Sequence, residues 1–362
     1  MKENGFMRKA AKLAEKGRLY VAPNPMVGCV IVRNGEIVGE GWHAFFGREH
    51  AEIAALRNAG SRAKGASMYV TLEPCCHYGK QPPCAGKIIE SGIKEVVIGL
   101  KDPNPVVNGC GIKELRKAGI KVEVLGDGPE KEGLLAQNKK YFKFRRTGIP
   151  FVLLKVAMTA DGKITWGNGK RKKISGKETF KLAHELRSEY DAILVGINTV
   201  LKDNPGLTCR IKGGRQPLRI VIDSEAKIPL GAKVLKGGRA LIVCTKKAPA
   251  TRIRKIQEKG AGVMIVNQKK GRVDLHGLMK QIGLAGISSV LVEGGAKIIH
   301  SFIDEGIADG FVFAVSRKPV GRGVDAIDKR HMHKLLAEKV YFLGKDIVVE
   351  GIIYKKHLRN KP

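Results

Sequence analysis

The chain has 362 residues, too many for one typical core, and is expected to divide into two domains. Apolar residues at 43% and charged residues at 28% exclude a disordered polyelectrolyte, and no apolar run approaches the ~18 residues that span a bilayer. The 66 Lys and Arg against 34 Asp and Glu leave a net charge of +32, which favours anionic partners without choosing among them.

The elements follow in chain order. "MKENGFMRKAAKLAEKG" reads as a helix with Phe6, Ala10, Leu13 and Gly17 on one stripe; it lacks the continuous apolar stretch of a signal peptide, so a cytoplasmic protein is expected. "VGCVIV" (27–32) is a strand, Asn34-Gly35 a hairpin turn, and "IVGEGWH" the returning strand. "SMYVTL" (67–72), "EVVIGL" (95–100) and "IKVEVL" (120–125) are further strands, with helical stretches between them. Such alternation predicts a sheet covered on both faces. "NKKYFKFRRTGIP" (138–150) is a last helix running into a domain boundary, giving domains 1–147 and 148–362. The alternation then restarts with "FVLLKVAM", "DAILVG", "LRIVID", "ALIVC", "VMIV", "SVLVEGG" and "GFVFAV", with helices over 176–189, 251–259 and 295–305, and ends on "IVVEGIIY". No fixed-period repeat is present.

Seven cysteines, an odd number with one cluster, point to reduced thiols and a metal site rather than a disulfide framework. Hydrolytic removal of a ring amino group needs water made nucleophilic at neutral pH, and a nearby acid to carry protons. A zinc ion with three protein ligands serves the first need and an unligated carboxylate the second. The zinc deaminase signature is H-x-E followed by P-C-x-x-C. His50-Ala51-Glu52 and Pro74-Cys75 match it. The following cysteines are Cys76 and, with eight residues between it and Cys75, Cys84 in "PCCHYGKQPPC". A four-ligand structural zinc knuckle using Cys76 or His77 is the alternative, but it leaves the His-x-Glu pair without a reason.

The wide "PCCHYGKQPPC" spacing resembles the bifunctional deaminase–reductase family of riboflavin biosynthesis, and the resemblance covers essentially the entire chain. It implies a cytidine-deaminase-like three-layer α/β/α domain followed by a dihydrofolate-reductase-like α/β domain. In the first, His50, Cys75 and Cys84 would hold one zinc ion and Glu52 would shuttle protons. Asn24, His43, His77, Lys80 and Asn104 would contact the pyrimidine nucleotide, although a capping or turn role is equally open for each. Cys76, where the family carries a small polar residue, is expected to point away from the metal.

In the second half no G-x-G-x-x-G follows a strand. "SVLVEGGAKIIHSFI" instead places Gly294-Gly295 at a helix start suited to pyrophosphate. By the resemblance this domain uses NADPH, with Ala157, Thr199, Asp203, Ser224, Gly294 and Gly295 along the cofactor. Lys155, Leu207, Arg210 and Glu293 would face the substrate, Lys155 as a catalytic group. Lys155 interrupts an apolar run, so it is paired or functional unless it lies on an edge strand facing solvent. One segment departs from the family: "GNGKRKKISG" offers Arg171 and Lys173 where Ser-x-Trp is usual. Arg171 as a substrate contact and Lys173 as a cofactor contact compete with a solvated charge run.

The resemblance implies two successive reactions. Zinc-dependent deamination acts on 2,5-diamino-6-ribosylamino-4(3H)-pyrimidinone 5′-phosphate, and NADPH-dependent reduction then converts the ribosyl group to ribityl. The partners expected are small phosphorylated pyrimidines and a second copy of the chain in a dimer or tetramer, with neither nucleic acid nor membrane. The readings that rival it are an RNA-editing zinc deaminase, and a zinc-stabilised binding protein with an inactive reductase domain.

Overall fold

A computed structural model describes residues 2–77, 82–165 and 174–354. The chain divides into two compact units, Met1–Gly148 and Ile149–Pro362. Lys80, Arg171 and Lys173 lie outside the described residues.

The first unit is built on five strands: β1 (Gly28–Arg33), β2 (Glu36–Trp42), β3 (Ser67–Val70), β4 (Glu95–Ile98) and β5 (Lys121–Val124). Their order is β2-β1-β3-β4-β5, antiparallel at β2-β1-β3 and parallel from β3 onward. Asn34 (φ 53°) and Gly35 (φ 81°) make the tight turn between β1 and β2. The two-residue side-chain period of the strands divides their apolar residues between two cores. Cys29, Ile31, Met68, Val70, Val96 and Ile98 face α2 (Ala51–Ala59), α3 (Cys84–Glu90) and α4 (Cys110–Lys117). Val30, Val32, Tyr69 and Val97 face α1 (Lys2–Glu15), α5 (Pro129–Gln137) and α6 (Lys139–Thr147). The unit is therefore a three-layer α/β/α sandwich.

The second unit carries β6 (Phe151–Met158), β7 (Ala192–Gly196), β8 (Leu218–Ile222), β9 (Ala240–Cys244) and β10 (Gly262–Ile265). It continues with a small hairpin, β11 (Gln268–Lys269) and β12 (Arg272–Val273), then β13 (Ser289–Val292), β14 (Gly310–Val315), β15 (Leu335–Leu343) and β16 (Asp346–Ile353). Nine of these strands form one sheet in the order β10-β9-β8-β7-β13-β6-β14-β16-β15. It is parallel from β10 to β14 and antiparallel at β14-β16-β15. Helices α7 (Lys177–Glu189), α8 (Ile197–Asp203), α9 (Ala250–Glu258), α10 (Leu275–Leu284) and α11 (Ala296–Asp304) accompany it. Val152, Leu154, Val156, Val290 and Val292 pack on Leu278, Met279, Ile282, Ile299 and Phe302 of α10 and α11. Phe151, Leu153, Leu291 and Val312 meet Leu186 and Tyr190 at α7. Among the described residues, no helix is long and apolar enough to cross a membrane.

Candidate active sites

The first site forms where α2 approaches the sheet. A Cβ on Gly41 of β2 would lie 2.2 Å from the Ala51 carbonyl and 2.4 Å from the Ala55 nitrogen. The small Gly-on-Ala contact lets the helix lie directly against the strand, and this fixes His50, the residue before its first turn. His50 has extended backbone (φ −80°, ψ 164°), and its side chain does not cap the helix. The ring faces two sulfurs instead: Nδ1 is 3.6 Å from Cys75 Sγ and 3.3 Å from Cys84 Sγ.

The start of α3 clasps the loop that carries Cys75. Ala85 N donates to the Cys75 carbonyl at 3.1 Å, and Cys84 N donates to Cys75 Sγ at 3.4 Å. A hydrogen bond between the two side chains, donated by the Cys84 thiol, pulls the Cys75 thiol well below its usual range, with His50 and the Cys84 backbone N–H adding to the effect, while the Cys84 thiol is held high by that same side-chain bond and by burial. Glu52 is 3% exposed. Burial pushes its carboxyl up to about 7, His50 opposing and Cys75 reinforcing the shift.

The donors of His50, Cys75 and Cys84 all lie within 4.8 Å of one another, and among the described residues no fourth His, Cys, Asp or Glu joins them. One imidazole nitrogen and two sulfurs, one already favoured as thiolate, are the donor chemistry zinc takes when a fourth position is kept for water. Cys76 turns away. Its sulfur pairs with that of Cys110, leaving Cys29, Cys75, Cys84, Cys209 and Cys244 free, where the sequence pointed to reduced thiols throughout.

Beside the donors, Asn24 Nδ2 is 3.1 Å from His43 Nε2, and His43 Nδ1 is 3.0 Å from the Glu49 carbonyl. A ring N–H donating to the carbonyl leaves Nε2 to accept from Asn24. Burial holds the His43 pKa down, consistent with a neutral ring, which meets the His50 ring edge-on at 5.5 Å. His77 Nδ1 is buried without a hydrogen-bond partner among the described residues. Asn104 is engaged in its own turn: its N–H donates to Asp102 Oδ1 at 2.8 Å, and its Oδ1 accepts from Val106 N at 3.5 Å.

The second site lies at the carboxyl ends of the parallel strands, where open α/β sheets build their sites. Val292 of β13 stands opposite Leu154 of β6, so the residues that follow, Glu293 and Lys155, come side by side. Strand β6 lies between β13 and β14, which removes the edge-strand reading of Lys155. Lys155 and Ala157 are the half-buried positions of that strand. Thr199 and Asp203 belong to α8 after β7, Ser224 follows β8, and Gly294-Gly295 precede α11. A Cβ on Gly294 would lie 1.7 Å from Ile298 Cγ2, whereas the space beside Gly295 is open. Leu207 is buried with φ 54°. The Arg210 guanidinium stands 6.0 Å over the Phe180 ring, and the Arg210 backbone N–H donates to His184 Nδ1 at 3.1 Å.

Sequence reasoning missed Arg187. From α7 its Nε and Nη2 donate to the two carboxylate oxygens of Glu293 at 3.1 and 2.7 Å, and Nη1 donates to the Thr208 carbonyl at 3.2 Å. Burial pushes the Glu293 carboxyl up, but Arg187 and then Lys155 outweigh it and hold the group below its usual range. The available signal was the one-turn spacing of His184 and Arg187, two polar residues on a helix whose neighbours Ala183 and Leu186 are apolar.

Residues 1–100 match the family described as the cytidine and deoxycytidylate deaminase zinc-binding region, and residues 150–349 match the RibD C-terminal domain. The riboflavin biosynthesis protein RibD of Aquifex aeolicus is 41% identical over 353 residues, covering 96% of this chain and 97% of the relative. That of Escherichia coli is 36% identical, covering 96% of each. Among solved structures, Acinetobacter baumannii RibD superposes with a TM-score of 0.87 at 33% identity, over 98% of this chain and 99% of that one. A Thermotoga maritima protein described as a diaminohydroxyphosphoribosylaminopyrimidine deaminase/5-amino-6-(5-phosphoribosylamino)uracil reductase gives a TM-score of 0.81 at 37% identity, over 97% and 99% of the two chains. The two architectures, the three-donor cluster with its buried acid, and identity of this extent over the whole length make the chain a member of the RibD family, the zinc deaminase and reductase of riboflavin biosynthesis carried on one polypeptide.

Proposed function

We propose that the first unit deaminates 2,5-diamino-6-ribosylamino-4(3H)-pyrimidinone 5′-phosphate and that the second reduces the ribosyl group of the product to ribityl. The observation that carries this reading is His50 Nδ1 facing two sulfurs with the buried Glu52 beside them. His50, Cys75 and Cys84 would hold the metal. When bound, zinc acidifies water at its open position. Glu52 would accept a proton from the attacking water on a carboxylate oxygen and return protons to the ring and to the departing amine. Asn24 fixes the orientation of His43 and keeps its remaining amide hydrogen for the pyrimidine. His77, with Nδ1 unpartnered, is a further substrate contact.

In the second unit NADPH supplies the hydride. Ala157, Thr199, Asp203, Ser224 and the Gly294-Gly295 turn line its site, with the open space beside Gly295 next to the N–H groups of α11. Lys155 donates a proton to the sugar oxygen, while Glu293, gripped by Arg187, accepts from a sugar hydroxyl on the lone pairs left free. Leu207 and Arg210 complete the substrate side, Arg210 through the planar fork that suits a phosphate. Arg171 as a substrate contact and Lys173 as a cofactor contact would add positive charge for the two phosphorylated ligands.

A chain with two thiolate ligands fits the cytoplasm. Two phosphorylated ligands account for part of the basic surface without nucleic acid, and a symmetric homo-oligomer is the expected assembly. The test is an assay of purified protein with the diaminopyrimidine nucleotide, with and without NADPH. Ammonia is released in both cases and NADPH is consumed only after deamination. Glu52→Gln stops both from that substrate, and added deaminated intermediate restores NADPH oxidation.

A further inference from the structure

We propose that Cys76 and Cys110 are a reversible redox pair whose disulfide ties the metal-ligand loop to the start of α4. Cys76 adjoins the ligand Cys75, and Cys110 opens α4. The Cα atoms are 5.9 Å apart, inside the span a disulfide bridges without backbone movement. Both residues are half-buried, as is the ligand Cys75, whereas Cys29, Cys84, Cys209 and Cys244 are buried.

The fold itself brings the two sulfurs together. Glu73, three residues before Cys76, is 4% exposed, and its carboxylate accepts from Asp102 N at 3.2 Å, Gly109 N at 3.0 Å and Ile112 N at 3.3 Å. A Cβ on Gly111 would lie 2.0 Å from the Pro74 carbonyl, so α4 begins in contact with the segment that leads to Cys75. The junction is closed by these contacts whether or not the sulfurs are bonded.

The exchange is balanced with a low-molecular-weight disulfide of the glutathione type. The Cys110 thiolate attacks one sulfur of that reagent and expels one thiol. The Cys76 thiolate then attacks the Cys110 sulfur of the mixed disulfide and expels the second. Two protein thiols lose two protons and two electrons, and the reagent disulfide is reduced to two thiols. In the bonded state Cys75 is restrained from both sides, by Ala85 and Cys84 of α3 and by the clasp to α4. The consequence for metal retention rests on the zinc reading given above.

The test uses the full-length, zinc-loaded protein equilibrated in glutathione buffers from reduced to oxidised. Three readouts are taken: peptide mapping of linked and alkylated cysteines, the rate of zinc transfer to EDTA, and the thermal midpoint. Oxidation yields a peptide linking Cys76 to Cys110, slows zinc transfer several-fold and raises the midpoint of the first unit by on the order of 10 °C. C76S and C110S each remove all three responses and keep NADPH oxidation with the deaminated intermediate. Individual alkylation of both cysteines under excess oxidised glutathione overturns the proposal. So does a link that leaves zinc transfer and midpoint unchanged, or a C76S protein that still responds. Purified protein devoid of zinc strikes at the zinc reading alone, and link formation with the midpoint then decides the redox pair.

Discussion

Arg187 and Glu293 grip each other through two parallel hydrogen bonds of 3.1 and 2.7 Å, although 106 residues separate them, with side chains only 15% and 11% exposed. The pair joins α7 to the end of β13 at the point where Lys155 of β6 arrives. A half-buried carboxylate so held cannot drift, and its remaining lone pairs are aimed by the arginine fork.

Glu293→Gln strands the Arg187 cation and is expected to cost the second unit about 3 kcal/mol in urea unfolding. The folded carboxyl is held below its usual range, so the pair's contribution is complete at neutral pH. It declines as pH falls from the ordinary carboxylate range toward the lower folded value. The gap between wild type and Glu293→Gln therefore narrows as the urea titration is repeated from pH 7 down to acid. A gap that widened on acidification would contradict the assignment.

Removing a metal donor separates the two activities. His50→Ala or Cys84→Ser loses zinc and ammonia release, measured by metal analysis and a coupled ammonia assay, yet oxidises NADPH at the wild-type rate when the deaminated intermediate is supplied. Glu52→Gln differs: zinc content stays at one per chain while deamination falls by at least ~100-fold.

Glu73 serves three backbone N–H groups from one carboxylate. Glu73→Ala leaves these donors buried and unpaired, at a cost of about 3 kcal/mol or more for the first unit. Glu73→Gln, which keeps one acceptor oxygen, recovers roughly half of that. Denaturant unfolding of the two variants under reducing conditions checks the order.

Gly41→Ala places a methyl group against the backbone of α2 at Ala51. Overpacking of this kind costs about 2 kcal/mol. Because α2 is the element that presents His50, zinc affinity falls together with stability. A variant that lost stability and kept its zinc affinity would show that the helix start is positioned by other contacts.

Lys155→Met replaces the one cation inside an apolar strand by an apolar residue of similar length. NADPH oxidation is lost, while thermal stability changes little, because relief of a half-buried charge is offset by the loss of its attraction to Glu293. Stopped-flow absorbance and a thermal scan on the same preparation read the two effects.

The grouping of His50, Cys75 and Cys84 was legible from the sequence because metal-ligand signatures place particular donor atoms at helix and turn positions, and that spacing survives in one dimension. Alternating apolar residues likewise revealed the strands, since period two is local. The strand Leu335–Leu343 was not read as one: most of its residues are exposed at the sheet edge, and no buried face imposes an alternation.

What the sequence by itself determined was the donor chemistry and the succession of most strands and helices. Tertiary structure alone decided that Lys155 lies on an interior strand, that Arg187 answers Glu293, that Glu73 binds the turn before α4, and that Cys76 meets Cys110 rather than the metal donors. The reason is physical: each of these relationships joins residues from separate elements. Which side chains face each other across such distances is set by strand order and helix placement, and no short window of sequence contains either.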